Sequence, residues 1–477
     1  MRIELKDIGT LHKADFEVGD LTLICGENNT GKTYAAYSLY GYLDFMRSVA
    51  DSLTYNLLRS KIDLFRLTHI FGDREEQEGQ RYAYETIEKD LKDHFYKKTG
   101  LYSTELSRAM AGRDEDFLNA KFMAHQNFSL EGIKEATKAT KIYTNTPMDQ
   151  CGIKHIFDRD GLKIIIPKRL RSKEYQPVVL DTLLTITMPK PFILSVERTG
   201  VSIFQAELDF IKAAKLDTIT QMFQENQAKH DIFGLFEIQD RADRRKQIYP
   251  KPVRDNIDFI RDVREKSTKS SIFKQDKERY KSILDLRDKL VMGRYKITDQ
   301  GVLFQPKGSK SAYALEIASS SARSLFMLDR YILHVAQKND ILMIDEPELN
   351  LHPNNQILVA RLLALLVNAG IKVFITTHSD YIVRELSNCI MLKNLNATQI
   401  ENLKKQGYTQ EHSLDAHRVK AYVTKTTKKQ NTLTPVKITQ EQGIFMQTFD
   451  DPIKTQNENQ SLIAEKVFQN LRNNHDS

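Results

Sequence analysis

The sequence has few of the features that mark secreted, membrane or zinc-binding proteins. Its three cysteines, Cys25, Cys151 and Cys389, are odd in number and far apart, which argues against a disulfide framework or a thiolate zinc cluster. No apolar run approaches the roughly 20 residues of a membrane span. The first residues, MRIELKDIGTL, alternate apolar and polar side chains without the apolar core of a signal peptide. We therefore expect a cytoplasmic protein with buried thiols.

The composition is that of a globular protein with an uneven distribution of charge. The length of 477 residues predicts two or three domains, and 40% hydrophobic with 28% charged residues is typical of a soluble chain. The net charge is +7, and residues 241–290 carry 16 Lys and Arg against nine Asp and Glu. This segment is either a surface for nucleic-acid phosphates or a set of mixed-charge helices with solvated faces.

A phosphate-binding loop is the strongest signal in the chain. The apolar strand predicted at Leu21–Cys25 leads into GENNTGKT, residues 26–33, and then into a proline-free helical pattern, which is G-x-x-x-x-G-K-[ST] in its strand–loop–helix setting. The glycines let the backbone curl so that N–H groups and the helix N-terminus face phosphates. Lys32 adds a charge for the β- and γ-phosphates, and the Thr33 hydroxyl can bind Mg²⁺. The predicted nucleotide-binding residues of this loop are Gly26, Asn28, Asn29, Gly31, Lys32, Thr33 and Tyr34.

A second apolar strand ends in two acids that its own packing cannot use. In ILMIDEPELNLHP, residues 341–344 are followed by Asp345 and Glu346, whose side chains point in different directions because side chains alternate along a strand. Together with the phosphate-binding loop, this pattern predicts that Asp345 holds Mg²⁺. Glu346 is then the base that accepts a proton from the water attacking the γ-phosphate.

Two further segments are candidates for contacts with the γ-phosphate. The strand predicted at residues 371–376 runs into Thr-His-Ser-Asp. His378 in this segment can reach the γ-phosphate, because ligands lie beyond the carboxyl ends of strands in open α/β sheets. Ser319, Ser320 and Ser321 begin a helix, where hydroxyl and N–H groups can bind an anion. A plain serine N-cap is the alternative interpretation of the three serines.

Together, GENNTGKT, ASSSARSL, ILMIDEPELNLHP and TTHSDYI resemble the motifs of the ABC-class ATPase heads of the SMC, RecF and OLD group. Within this group the chain resembles the AAA-type ATP-binding subunits of bacterial antiphage systems, such as PtuA of Septu and AriA of PARIS. The resemblance covers about residues 1–45 and 310–395, and FILSVERTG around Arg198 resembles the family as well. It implies that serines 319–321 form a signature that closes on the ATP of a second subunit. The protein would then be a dimer or a larger oligomer.

The chain departs from this family at two points. The signature usually has Gly where Ser321 stands, which affects how closely that backbone can approach the γ-phosphate. The glutamine that normally links the nucleotide to the insert has no clear counterpart, although Gln205 is a candidate. Slow or partner-gated hydrolysis is consistent with both departures. A nucleotide-gated scaffold with negligible turnover is therefore one alternative function.

The expected fold is α/β, an ABC-type P-loop ATPase head with a mixed sheet flanked by helices and small antiparallel strands at the N-terminus. Residues 1–47 would form the N-terminal half of the head, residues 301–395 the C-terminal half, and residues 396–477 strands and a helix that complete it. Residues 48–300 would form a large, mostly helical insert with a small strand-bearing unit, predicted from LKIIIPKRL and PVVLDTLLTITMPKPFILSV. Helices are predicted in this insert at residues 48–71, at YAYETIEKDLKDHFYKK and at residues 202–224, and Pro250 predicts a joint, because proline and the residue before it resist continuing a helix. Apolar heptads are too short for long coiled-coil arms.

These patterns predict a Mg²⁺-dependent ATPase that converts ATP to ADP and phosphate. The resemblance implies a sensor or regulatory subunit of an antiphage defence complex whose nuclease is a separate chain. FDRDG at residues 157–161 is typical of a hairpin turn rather than of a metal site, and the segment after His378 is short for the TOPRIM nuclease that OLD proteins carry. A RecF-like DNA repair or recombination ATPase, with nucleic acid as a ligand, is the other alternative. No contact with a membrane is expected.

Overall fold

The computed structural model of the chain describes residues 1–47, 78–129, 131–132, 154–157, 161–166, 180, 183–185, 187–204, 249–299, 301–445 and 447–475. Within these ranges the strands are, in chain order, Arg2–Ile8 (β1), Leu11–Glu17 (β2), Leu21–Cys25 (β3), Glu78–Ala83 (β4), Lys121–His125 (β5), Lys154–Phe157 (β6), Gly161–Ile166 (β7), Lys190–Leu194 (β8), Gly293–Thr298 (β9), Gly301–Pro306 (β10), Tyr313–Ala314 (β11), Asp340–Asp345 (β12), Lys372–Thr377 (β13), Val419–Thr427 (β14), Gln430–Pro435 (β15), Ile438–Thr439 (β16) and Gly443–Ile444 (β17).

The α-helices in the same ranges are Lys32–Arg47 (α1), Tyr84–Tyr102 (α2), Leu106–Met110 (α3), Lys251–Arg261 (α4), Val263–Lys266 (α5), Ile272–Gln275 (α6), Lys281–Val291 (α7), Ser320–Arg330 (α8), Pro353–Asn368 (α9), Asp380–Met391 (α10), Ala397–Asn402 (α11) and Gln447–His475 (α12). Helix α8 continues directly into a π-helical turn, Tyr331–Val335. Where the structure describes the chain, none of these helices is long and apolar enough to cross a bilayer.

The main sheet has nine strands in the order β5-β1-β2-β15-β14-β3-β13-β12-β8. Its second half is parallel, because β14, β3, β13, β12 and β8 all run in the same direction. The other end is antiparallel, with β1 between β5 and β2. This mixed sheet and its N-terminal antiparallel strands confirm the predicted α/β ATPase head. Parallel pairing also brings the carboxyl ends of five strands to one edge of the sheet.

The hydrophobic core lies on both faces of this sheet because successive side chains of a strand point to opposite faces. In β3, Leu23 and Cys25 belong to the cluster that packs against α9 and α10, whereas Ile24 faces the cluster around α1. Helix α1 buries a row of Ala, Leu and Tyr side chains against that second face. Both Cys25 and Cys389 are buried free thiols, as expected. The helix after the phosphate-binding loop is thus anchored to the sheet along its length.

Two strands of the main sheet come from residues 48–300, which the sequence interpretation assigned to the insert. Strand β5 pairs with β1, and β8 pairs in parallel with β12. The sequence interpretation placed PFIL of β8 and LKIII of β7 in one small strand-bearing unit, which was wrong. Strand β8 joins the main sheet, whereas β7 pairs with β4 and β6 in a separate sheet. A short apolar strand carries no local signal of its partner, because pairing depends on tertiary contacts. The domain boundaries themselves stay a prediction.

Several other sequence-based expectations for residues 48–300 can be compared with the described residues. Helix α2 confirms the helix predicted from YAYETIEKDLKDHFYKK, and the joint predicted near Pro250 is the start of helix α4. Strands β6 and β7 pair antiparallel with Phe157 opposite Leu162, as a hairpin at FDRDG requires. The helix predicted at residues 48–71 and most of the one at residues 202–224 lie outside the described residues.

A buried ion-pair network fixes helix α8 to helix α7. Both carboxylate oxygens of Asp329 accept hydrogen bonds from guanidinium groups, one from Arg287 of α7 and one from the adjacent Arg330. The Asp329 side chain is fully buried. Removing the carboxylate would leave the two largely buried guanidinium groups without this counter-charge.

We expect Asp329→Ala to lower the free energy of unfolding by about 3–5 kcal/mol, because the buried Arg330 would lose the carboxylate that it pairs with and Arg287 would keep the exposed Asp288 as its ion-pair partner. Urea denaturation followed by circular dichroism measures this change. Asp288→Ala is the matched control: Asp288 also contacts Arg287 but is mostly exposed, and its loss should cost less than about 1 kcal/mol. Equal losses in the two variants would contradict the importance assigned to burial.

Candidate functional site

Four segments meet where the carboxyl ends of parallel strands form one edge of the sheet. The phosphate-binding loop follows β3, residues 195–198 follow β8, the acids follow β12, and the His378 segment follows β13. Strand register places these ends side by side, with Thr377 opposite Cys25 and Thr376 opposite Asp345. Segments from distant parts of the sequence therefore share one site.

The phosphate-binding loop requires glycine at its first position. Gly26 has a φ of +143°, and a Cβ there would lie 1.8 Å from Oγ1 of Thr424 on the neighbouring strand β14. The same Thr424 hydroxyl forms a 2.6 Å hydrogen bond with Thr30, whose hydroxyl also donates to the Glu27 carbonyl at 2.7 Å. Strand β14 therefore holds the loop in its curled shape from one side.

Lys32 points back into this loop. Its side chain is buried, and Nζ donates to the carbonyl oxygens of Gly26 at 3.1 Å and Glu27 at 2.6 Å. Burial lowers the pKa of Lys32, and the negative charges of Glu346 and Asp345 oppose that shift. The ammonium group is thus held between the loop backbone and the acids of β12, where a point charge can bind phosphate.

Asp345 has the properties expected of a cation ligand. It is 2% exposed, and its Oδ1 accepts a hydrogen bond from the Thr376 hydroxyl, while its Oδ2 has no hydrogen-bond partner within the described residues. Burial raises the pKa of Asp345 to about 6, and the hydroxyls of Thr376 and Thr33 act in the opposite direction. A buried, unpartnered carboxylate oxygen beside the Thr33 hydroxyl fits a Mg²⁺ ion, which prefers oxygen ligands.

A Mg²⁺ ion at this position would take its remaining ligands from outside the protein. Across the described ranges, no group of three or more His, Cys, Asp or Glu side chains is arranged to hold a metal. Magnesium sites that work with nucleotides commonly use one or two protein oxygens together with phosphate oxygens and water. The pair Thr33 and Asp345 suits this type of site.

Glu346 adopts an unusual backbone conformation and faces His378. Its φ of +53° lies in the left-handed region, which costs a non-glycine residue about 1–3 kcal/mol. Its N–H donates to the Thr376 carbonyl at 3.0 Å, and its Oε1 lies 3.3 Å from Nε2 of His378. The hydrogen bond with His378 holds the pKa of Glu346 below its usual value. Glu346 is therefore a half-buried, ionised carboxylate, as a general base must be.

Glu348 is a site residue that the sequence interpretation missed. One of its carboxylate oxygens accepts from the Thr377 hydroxyl at 2.8 Å, and the other accepts from the backbone N–H of His378 at 2.5 Å. Burial raises the pKa of the Glu348 carboxyl. The third acid of DEPE, two residues beyond Glu346, was the available signal. Glu348 fixes the backbone that carries His378.

We expect Glu348→Ala to lower ATP turnover by about 10- to 100-fold, because two donors of the His378 segment would lose their acceptor. Phosphate release per folded molecule measures this effect. Glu385→Ala is the matched control, since Glu385 is also buried and accepts hydrogen bonds from Arg361 and Tyr408 instead of from the His378 segment. It should lower stability and leave turnover per folded molecule unchanged. Similar turnover losses in both variants would argue against the assigned role of Glu348.

The three serines lie at the beginning of helix α8. Ser319 is the N-cap, with its hydroxyl accepting from the Ala322 N–H at 3.3 Å, and it lies 3.1 Å from the Ser321 hydroxyl. Ser319 and Ser320 are exposed, and Ser321 is partly exposed. One turn later, Ser324 donates to the Leu349 carbonyl at 2.8 Å. The same helix thus presents serines to solvent and contacts the loop that follows the acids.

The structure also describes Asn28, Asn29, Tyr34 and Arg198 among the remaining sequence-predicted residues. Asn28 and Asn29 are exposed in the phosphate-binding loop, and Asn29 has a φ of +61°. The ring of Tyr34 lies against Gly9, where a Cβ would come within 2.2 Å of it. Arg198 is buried at the end of β8 beside the acids. Gln205 lies outside the described residues.

The site therefore has the features of an ABC-type P-loop ATPase head. A curled glycine loop follows a central parallel strand, and Asp-Glu and Thr-His stand at the ends of neighbouring strands. The model of the AAA ATPase domain family matches residues 1–383, which is most of the chain. The protein belongs to this family.

Comparisons with curated proteins and with solved structures gave different results. The search of curated proteins gave no significant match. The chain is similar to three solved SMC head domains. The first is an SMC head bound to the C-winged helix domain of ScpA (11% identity, TM-score 0.34, 91% of this chain and 96% of that chain covered). The second, derived from Pyrococcus furiosus, has an extended coiled coil and is bound to the C-terminal domain of ScpA (14% identity, TM-score 0.33, 96% of this chain and 98% of that chain covered). The third is from Thermotoga maritima (9% identity, TM-score 0.28, 92% of this chain and 98% of that chain covered).

Proposed function

We propose that the chain is a Mg²⁺-dependent ATPase that converts ATP to ADP and phosphate. The observation that carries this proposal is the division of tasks at the end of β12. Asp345 offers a buried oxygen without a partner, while the neighbouring Glu346 is ionised and hydrogen-bonded to His378. One acid suits a cation and the other suits an attacking water.

Each residue of the site has a distinct task in the proposed reaction. The backbone N–H groups of the Gly26–Thr33 loop and the Lys32 ammonium bind the phosphates. Thr33 and Asp345 hold Mg²⁺, which supplies positive charge to the phosphate oxygens. Glu346 accepts the proton of the attacking water, and His378 orients Glu346 and reaches toward the γ-phosphate. The products leave as ADP and inorganic phosphate.

We also propose that ATP is bound between two copies of the chain. The exposed hydroxyls at the start of α8 are donors that ATP on a second copy can use, together with the N–H groups of that helix end. The hydrogen bond from Ser324 to Leu349 gives a direct contact between this helix and the loop after the acids. Closure of one copy on the other would therefore act on the acids.

The ATPase proposal is tested by phosphate release from Mg²⁺–ATP at increasing concentrations of the purified chain. Activity per chain should rise with concentration if two copies complete the site, and excess EDTA should abolish it because the metal is removed. Turnover that persists in EDTA would contradict the proposed metal site. Tight retention of ATP without any phosphate release would favour the nucleotide-gated scaffold.

As the biological role, we propose a sensor or regulatory subunit of an antiphage defence complex with a separately encoded nuclease. The support for this role is the resemblance of the four motifs to the ATP-binding subunits of such systems. The test is native mass spectrometry of Glu346→Gln expressed with its neighbouring genes in Mg²⁺–ATP. A multimer that carries a second protein with nuclease motifs would support the role. A bare dimer that takes up added DNA would favour a RecF-like repair ATPase.

The charges of the described residues 249–290 fit a solvated mixed-charge surface better than a surface for nucleic-acid phosphates. Several of the cations there pair with carboxylates three or four residues earlier in the chain, as in Arg261–Asp258, Lys266–Asp262 and Lys269–Glu265. Arg264 pairs with Asp299 of the neighbouring hairpin. Cations that are already paired on a helix surface are typical of solvated mixed-charge faces. A surface that binds nucleic acid instead leaves its cations free for phosphates.

A further inference from the structure

Arg198 is a buried cation that hydrogen-bonds only to backbone carbonyls within the described residues. It is 2% exposed, and its Nη1 donates to the carbonyl oxygens of Ser195 at 2.9 Å and Asp345 at 2.8 Å, while Nη2 donates to the Glu346 carbonyl at 2.7 Å. Burial lowers the pKa of Arg198 to about 10. Burying a guanidinium group without a hydrogen-bonded carboxylate is costly. Because burial of Arg198 is costly, we expect its hydrogen bonds to have a specific structural role.

The carbonyl groups that Arg198 binds belong to a strained backbone. Glu346 has a positive φ, a conformation that persists only where the surroundings hold it. On one side its N–H is bound by the Thr376 carbonyl at 3.0 Å. On the other side its carbonyl is bound by Arg198. This conformation determines where the Glu346 carboxylate points, which is toward His378.

The segment that carries Arg198 is itself fixed to two helices. The Ser195 N–H donates to Oδ1 of Asn256 at 3.0 Å, and Nδ2 of Asn256 donates to the Ile193 carbonyl at 2.6 Å, which ties the segment to α4. The adjacent Glu197 accepts from the Tyr37 hydroxyl of α1 at 3.1 Å. Residues 195–198 therefore contact both helices, and through Arg198 they contact the backbone of the two acids.

We propose that Arg198 is a positioning residue of the ATPase site, which holds the peptide groups of Asp345 and Glu346 so that their carboxylates face the cation and the attacking water. In this role the guanidinium group acts on the reaction through these two acids. The expected effect of Arg198 on kcat rests on the proposed ATPase function. The backbone geometry that it explains does not depend on that function.

The kinetic test compares Arg198→Ala and Arg198→Lys with the wild type. For Arg198→Ala we expect kcat to fall by about 100-fold, because a misplaced catalytic group of this kind costs about that factor, with KM and ATP affinity essentially unchanged. Arg198→Lys should lose less, since an ammonium group is a point donor and cannot bind two carbonyls as a planar fork does. Guanidinium chloride at concentrations below those that unfold the protein should restore part of the turnover of Arg198→Ala but none of the turnover of Glu346→Gln.

Arg47→Ala is the matched control. Arg47 also donates to two backbone carbonyls, those of Thr185 and Met188, but it lies at the far end of α1 from the acids. Its removal should lower the melting temperature and leave kcat per folded molecule unchanged. Equal kcat in Arg198→Ala and Arg47→Ala would overturn the proposal, as would a fall in ATP affinity that accounts for the whole loss of activity.

A crystal structure of Arg198→Ala gives a result that does not depend on turnover. We expect Glu346 to leave the left-handed region and its carboxylate to move away from His378, whereas both should be unchanged in Arg47→Ala. A wild-type protein without ATPase activity would contradict the proposed function and leave this structural result to decide the role of Arg198. Retention of the positive φ at Glu346 in Arg198→Ala would overturn that role.

Discussion

Glu346→Gln is expected to bind Mg²⁺–ATP as tightly as the wild type and to release phosphate at least about 100-fold more slowly, which is the usual range for loss of a general base. The amide keeps the size and the hydrogen-bonding capacity toward His378 but cannot accept a proton at neutral pH. Because ATP then stays bound, the closed oligomer should accumulate. Phosphate release, ATP binding by calorimetry and mass in solution measure the three effects.

The matched control for this variant is Glu411→Gln, which removes one negative charge at an exposed position near the C-terminal end of helix α9. It should behave as the wild type in all three measurements. Unchanged turnover in Glu346→Gln would remove Glu346 as the base. Loss of ATP binding in that variant would instead indicate a role in holding the nucleotide.

Lys32→Ala is expected to weaken ATP binding by at least about 100-fold, or about 3 kcal/mol. The Lys32 ammonium is the single cation that the loop holds against its own carbonyls and the acids of β12, and alanine offers no replacement charge for the β- and γ-phosphates. Isothermal titration calorimetry with ATP and Mg²⁺ measures the change.

Lys372→Ala is the matched control for the loss of a lysine. Lys372 begins strand β13 at the opposite edge of the same sheet and pairs with Asp20 at 2.9 Å. Its removal should leave ATP affinity unchanged. Normal ATP binding by Lys32→Ala would rule out the phosphate-binding loop as the nucleotide site.

Local patterns account for the parts of the fold and site that the sequence predicts well. The apolar strand before GENNTGKT and the apolar run before Asp345 are strands because they are short, apolar and flanked by turn residues. Their shared sheet edge follows from the parallel arrangement of such strands. The positions of Lys32, Asp345 and His378 could therefore be predicted from motif spacing, although their roles in catalysis stay proposals.

The missed features depend on contacts between distant residues. Strands β5 and β8 join the main sheet through partners more than 100 residues away in sequence, which no local pattern encodes. The contacts of Arg198 with the Asp345 and Glu346 carbonyls are of the same kind. Glu348 is a different case. It lies within the DEPE motif after β12, but the backbone N–H that it binds belongs to His378, directly after the neighbouring strand β13. Sequence alone shows such an acid and not the backbone that it binds.

The shared ATP site between two copies is tested most directly by mixing two inactive variants. Lys32→Ala removes the phosphate-binding charge, and Ser320→Arg blocks the exposed start of α8 while keeping the Ser319 N-cap. In a mixed dimer of two-fold symmetry, one site contains both changes and the other contains neither. An equal mixture should then recover about a quarter of wild-type turnover, since half of the dimers are mixed and each has one intact site. No recovery on mixing, or full activity of Ser320→Arg alone, would contradict the account.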